Sequence, residues 1–280
     1  MGFLNKNPER IRATREFCAA VSRVTDPLAL VLFEIENLDE RVAWTVAAEV
    51  LRQSITLPML GSLIQELRRQ LPGSLLWCLP APRQKIISDV LKKQPWLKGW
   101  ILEPHLLGIL ASVGVWVRNT GNQPYLYVSK SNMTELWREF SKIYFIGKSN
   151  QVRPKVLSLL FRLTAPVPMG LDLPVHRDPL ASGNLWPYPV YAGARKWLKL
   201  IGPDPRIWME RHTELERLQY FQKMYQGIYP AHPEVVAYGL SIFLEQQGTE
   251  LLCINSFGGC VHCPLAAMSP VAGSCPGRKI

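Results

Sequence analysis

Four of the chain's six cysteines fall within its last 28 residues, at Cys253, Cys260, Cys263 and Cys275, separated by six, two and eleven residues. Thiolates are soft ligands, and four of them on one short stretch suit a tetrahedral zinc or an iron–sulfur cluster. A disulfide pair, or small thiols packed together, is the plainer alternative. The tight Cys260–Cys263 pair and the scarcity of cysteine elsewhere favour metal. Structural zinc sites usually close with a short knuckle at each end, whereas only one knuckle is present here. Cys253 and Cys275 stand alone, and that asymmetry points to a [4Fe-4S] cluster, with zinc as the alternative.

A chain of 280 residues with 48% hydrophobic content and nine tryptophans can bury a substantial core in one large unit or two modest ones. Its 32 basic against 22 acidic residues leave a net charge of +10, which favours a polyanionic partner. A merely basic soluble protein is the plainer reading of the same number. Met1–Arg15 is charged and has no apolar core segment of the secretory kind. No uncharged apolar run reaches the length of a membrane span, so no membrane partner is expected. The expected compartment is cytoplasmic, or nuclear in a eukaryote, with Cys18 and Cys78 as reduced core thiols.

The hydrophobic pattern is mainly helical. Residues 8–24 place Ile11, Phe17, Cys18, Val21 and Val24 on one face. Asp26-Pro27 opens a second helical segment to Leu51, with Val42, Val46 and Val50 at helical spacing and a break near Asn37–Glu40. Further helices are expected at 56–70, 82–93 and 105–115, with His105 as a cap or core histidine. Valines and tyrosines alternate over 113–128 around Asn119–Pro124, which predicts one small β-hairpin. Ser131 or Asn132 should cap a helix over 131–141. Six prolines within 164–189 exclude helix or central strand there, and helices resume at 191–201, 206–225 and 232–247.

Residues 143–163 combine a glycine-containing turn, the cations Lys148, Arg153 and Lys155, and an apolar helix from Pro154. Backbone N–H groups at a helix start, with cations close by, suit a phosphate oxygen. An ordinary helix–turn–helix with solvated charges is the plainer reading.

Taken together, the C-x6-C-x2-C spacing closed by a further cysteine resembles the [4Fe-4S] loop of the endonuclease III and adenine-glycosylase branch of the helix-hairpin-helix DNA glycosylases. The final spacing of eleven departs from the family's five and leaves Cys275 the least typical ligand. The turn at Gly147-Lys148 is similar to the family's Gly-x-Gly hairpin followed by a cation, except that Phe145 stands at the first glycine. The resemblance implies a mainly α fold of two helical lobes: a six-helix-barrel-like lobe carrying the hairpin and the Pro-rich loop over 26–190, and a cluster lobe built from 1–25 together with 191–280. It implies double-stranded DNA as partner, with Gly147, Lys148, Arg153, Lys155, Arg195 and Lys196 as the binding residues.

The family's catalytic aspartate opens the helix after the hairpin, where a carboxylate can activate water and stabilise a developing sugar cation. The best local match is Val190–Lys196, and it places Tyr191 at that position. A phenol carries no negative charge near neutral pH. Excision would then rest on a loop carboxylate, Asp178 or Asp172, with Lys155 as a phosphate contact or, in a lyase, as the Schiff-base amine. The expectation is therefore a DNA-binding [4Fe-4S] protein of the glycosylase type that recognises a flipped or modified base. The alternatives are a non-catalytic DNA-binding subunit and a base-modifying enzyme reusing the pocket.

Overall fold

The computed structural model of the chain describes residues 8–21, 31–32, 34–51, 55, 57–73, 77, 81–95, 102–131, 133–147, 153, 156, 214–244 and 262–263. These residues are overwhelmingly helical, and no strand occurs among them. The chain divides into two compact units, one made of Met1–Thr25 with Leu185–Ile280 and the other of Asp26–Asn184. None of the described helices is long and apolar enough to cross a membrane.

The first unit is built on α1 (Pro8–Val21), α9 (Glu214–Ile228) and α10 (Pro233–Leu244). α1 buries Thr14, Phe17 and Cys18, a helical stripe, and packs chiefly on α10. Thr14 is harmless in that stripe because its hydroxyl donates to the Arg10 carbonyl at 2.7 Å within the same helix. The two helices approach closely because Gly239 of α10 has no side chain: a Cβ there would lie 2.6 Å from the Cys18 Cα. Arg15 locks the third helix, its Nε donating to the Ile228 carbonyl at 2.7 Å. A cation on the last carbonyls of α9 also answers the negative end of that helix's dipole.

The second unit is arranged around α2 (Leu38–Leu51), in which every residue from Glu40 to Leu51 is buried. Valine spacing alone names one apolar face; in the folded unit α2 has no solvent face beyond its first turn, because α3 (Leu57–Gln70), α5 (Leu102–Asn119) and α6 (Pro124–Lys130) all pack on it. Its start coincides with the break expected near 37–40. Asn37 Oδ1 accepts from the Glu40 amide at 2.9 Å, an N-cap to the third helical position. Asp39 Oδ1 accepts from the Tyr125 amide at 2.8 Å and so serves the start of α6. Two of the charges that α2 buries lie in its first turn and have partners: Arg41 Nε donates to the Ile35 carbonyl at 2.7 Å, and Glu40 pairs with Arg68 of α3 at 2.8 Å. Trp44 and Trp77 meet edge to face at 5.2 Å in this core. α4 (Ala81–Lys93) packs against α3 and α5.

The β-hairpin expected over 113–128 is overturned. α5 runs through to Asn119, a turn with positive φ at Gly121 (69°) and Asn122 (62°) follows, and α6 begins with Pro124 in its first turn. A strand would put Val113, Val115 and Val117 on one face. The structure buries Val113 and Val117 and leaves Val115 47% exposed, whereas Leu106, Ile109, Leu110, Val113, Trp116 and Val117 form a continuous helical stripe. Packing of that stripe against α2 outweighs the local β preference of valine and tyrosine.

Of the two caps expected for the next helix, Asn132 lies outside the described residues and Ser131 has another role. It ends α6 instead of capping the next helix, its hydroxyl donating to the Tyr127 carbonyl at 2.8 Å. That next helix is α7 (Met133–Lys142), followed after one residue by the single turn α8 (Tyr144–Gly147). His105 is neither cap nor core. It is exposed inside α5, its ring edge to face with Phe145 at 5.1 Å. The Pro-rich stretch 164–189 and the helix expected at 191–201 lie outside the described residues.

Candidate functional site

The most distinctive surface of the second unit is the corner where α7 turns into α8. α7 is strongly amphipathic: Leu136 and Phe140 are buried, while Glu135, Arg138, Ser141 and Lys142 face water. Phe140 packs on Trp116 of α5 at 5.1 Å and fixes the corner to the core. The chain then doubles back, with the Gly147 amide donating to the Ile143 carbonyl at 2.6 Å. Gly147 passes so close to α7 that a Cβ on it would overlap the Ser141 carbonyl. Glycine is therefore required at 147 by backbone approach, with no appeal to unusual dihedral angles.

Arg153 sits on this corner, only 6% exposed. Its guanidinium lies over the Trp137 ring at 4.2 Å, and Nη2 donates to the Gly147 carbonyl at 3.5 Å. Of the DNA-binding residues named from the sequence, the structure thus brings Gly147 and Arg153 together. It uses Arg153 from within, to hold the turn. Phe145, at the place of the family's first glycine, directs its ring against α5, where a Cβ on Gly108 would meet it at 3.0 Å. The adjacent Tyr144 crosses Phe145 edge to face at 4.9 Å and is 57% exposed.

Beside this corner lies an open cleft of about 210 Å³ lined by Ser112, Val115, Trp116, Asn119, Glu139, Lys142, Ile143 and Tyr144. Its walls are apolar, from Val115, Trp116, Ile143 and the Tyr144 ring, and its rim carries the Glu139–Lys142 ion pair. That pairing raises the Lys142 pKa, so the amine is a cation at any physiological pH. One signal of this cleft is legible in the sequence, the two adjacent aromatics Tyr144 and Phe145 just before Gly147. The other half of the signal, an outward-facing Val115, was concealed by the expectation of a hairpin.

In the first unit the described part of the cysteine loop is Cys263, half-buried, next to the exposed His262. Cys253, Cys260 and Cys275 lie outside the described residues, as do Asp172, Asp178, Lys148, Lys155, Tyr191, Arg195 and Lys196. Among the described residues no three of His, Cys, Asp or Glu converge as a metal-holding group. Cys18 is of a different kind from the loop cysteines. It is fully buried, its Sγ lies 3.7 Å from the Val236 carbonyl, and burial drives its thiol pKa well above the ordinary range. A thiol so placed is packing material and not a ligand or nucleophile.

The fold and the corner define a mainly α protein with a glycine-dependent turn in one unit and a cysteine-rich C-terminal segment in the other. Comparison with family models, with curated proteins and with solved structures finds no match.

Proposed function

We propose that this chain is a DNA-binding protein of the helix-hairpin-helix glycosylase type, with Cys253, Cys260, Cys263 and Cys275 holding a [4Fe-4S] cluster. The cysteine spacing carries this reading. The net charge of +10 and the predominantly helical fold support it. So does Gly147, whose close passage over Ser141 makes a tight turn immediately before Lys148 in the sequence. The half-buried position of Cys263 leaves room for a ligand role. Bound by four thiolates, the cluster would cross-link its loop and act as a structural element.

The chain's own residues do the remaining work. Arg153 on Trp137 braces the Gly147 turn, and Lys148 and Lys155 are the phosphate contacts of this reading. Arg195 and Lys196 are the further phosphate contacts of this reading. With Tyr191 where the carboxylate is expected, excision of a flipped base falls to Asp178 or Asp172. The same Tyr191 favours a second reading, a DNA-binding subunit that retains the fold and has lost the chemistry.

The decisive measurement for the cluster is the visible absorption of freshly purified protein, with iron and sulfide analysis. A brown protein with about four irons per chain is expected, and a colourless protein with one zinc would refute the cubane. Duplex DNA binding that weakens steeply with salt is expected on the charge argument. A panel of damaged duplexes then separates the two readings: any excision, lost in Asp178→Asn or Asp172→Asn, identifies a glycosylase, and none across the panel identifies the subunit.

A further inference from the structure

The cleft between α5 and the α7–α8 corner has no part in the DNA-binding reading. Every residue that lines it is described and belongs to one unit, so its shape is a property of that unit alone. Four large apolar side chains stay exposed among the described residues, and two of them line this cleft: Val115 at 47% and Tyr144 at 57%. Ile143 and Trp116, both buried, complete the apolar lining. At about 210 Å³ the cleft exceeds the roughly 150 Å³ of an apolar cavity that accepts benzene. It falls below the roughly 300–1,000 Å³ of pockets that enclose drug-sized ligands. One phenyl-sized group fits it.

The rim decides what that group must be attached to. Glu139 and Lys142 pair there across one turn of α7, with side chains 31% and 69% exposed. A pair so open to water is weak and can exchange partners. An anionic ligand that took Lys142 would leave Glu139 without its cation, and a cationic one on Glu139 would leave Lys142 without its anion. A ligand that carries both charges close together replaces both partners at once, its carboxylate on Lys142 and its ammonium on Glu139. The lining adds a preference for a ligand with acceptors. The buried Trp116 indole N–H finds no acceptor among the described residues, and a hydrocarbon could not supply one.

We propose that this cleft binds a free α-amino acid with a ring-sized apolar side chain, the side chain against Val115 and Tyr144, the carboxylate on Lys142 and the ammonium on Glu139. An α-carbon joins an ammonium, a carboxylate and an apolar group at one atom, which matches a paired acid and base on the rim of a small apolar cleft. In a polypeptide the two terminal charges sit at opposite ends of the chain, so a peptide satisfies only half of the rim. The site stands independently of the DNA-binding reading.

The test is a ligand-detected NMR titration of the full-length chain with L-phenylalanine, phenylalaninamide and N-acetylphenylalanine. For about 12 non-hydrogen atoms in an open site, a dissociation constant on the order of 1 mM is expected for L-phenylalanine. The amide lacks the carboxylate and the acetyl compound lacks the ammonium, so each should bind about two- to fivefold more weakly. Lys142→Ala should erase the discrimination against the amide and keep that against the acetyl compound, a pattern that a merely structural lysine would not produce. Tyr144→Ala should weaken L-phenylalanine about two- to tenfold. Val115→Glu, which puts a charge into the apolar lining, should abolish binding. Both positions are exposed, and circular dichroism reports that each variant is folded. A parent that binds no L-phenylalanine, or binds the three compounds equally, would overturn the proposal. So would L-phenylalanine binding that survives both Val115→Glu and Tyr144→Ala undiminished.

Discussion

Gly239 and Gly61 lie within helices of different units, and the same substitution is expected to move stability in opposite directions at the two. In an unobstructed helix, alanine gains about 0.8–1.0 kcal/mol over glycine. A Cβ at Gly61 meets the Val31 Cγ2 at 3.4 Å, an ordinary contact, so Gly61→Ala should stabilise by about 0.5–1 kcal/mol. At Gly239 the new Cβ would lie 2.6 Å from the Cys18 Cα, 2.8 Å from its Cβ and 3.0 Å from its sulfur. Carbon–carbon contacts are comfortable at about 3.5–4.0 Å, so α1 and α10 would have to separate by about 1 Å. Overpacking costs about 1–3 kcal/mol, and a backbone atom as obstacle puts Gly239→Ala near the top of that range. After the helical gain of alanine, a net loss of about 2 kcal/mol is left. Urea denaturation read by circular dichroism gives both values from the shift in midpoint at constant slope. Cys18→Ala should not rescue Gly239→Ala, because two of the three close atoms remain. A Gly239→Ala protein as stable as the parent, or a rescue by Cys18→Ala, would refute the close packing of α1 on α10.

Three further outcomes follow from the described side chains. Arg68→Ala should destabilise by about 2 kcal/mol in the same assay, because it strands the Glu40 carboxylate at 7% exposure; the partly exposed guanidinium keeps the loss below the roughly 3–5 kcal/mol of a fully buried pair. Hydrogen bonds from Arg69 and then Gln70 hold the Glu66 carboxyl down at about 2, from an ordinary 4.5. A depressed folded-state pKa means that the stabilisation is present above pH 4.5 and is lost as pH falls toward 2, and carboxyl-carbon NMR should show the midpoint rising in Arg69→Ala. Cys18 should resist alkylation in the native protein and react only on unfolding, while mass spectrometry of Cys18 adducts under native conditions would contradict its burial.

What the sequence determined by itself is the class of structure, a mainly helical one. Apolar residues three and four apart in 8–24, 42–50, 82–93 and 232–247 specify helices, because that spacing lines up one face at 3.6 residues per turn. Asn37 marks a helix start for a reason local to the backbone, a side-chain acceptor. Tertiary structure decided what local preference leaves balanced. Valines over 113–117 suit a strand or a helix equally well until α2 supplies a surface, and then only the helix buries Val113, Trp116 and Val117 together. Arg153 reads as a phosphate ligand until Trp137 is found beneath it. Gly147, a turn residue by its sequence, and Gly239, inside a helix, are each required by a backbone passing within contact distance. The Tyr144 cleft belongs to the same category, since it exists only where α5 and the α7–α8 corner meet. Proximity between distant segments is a property of packing, and no single stretch of sequence encodes it.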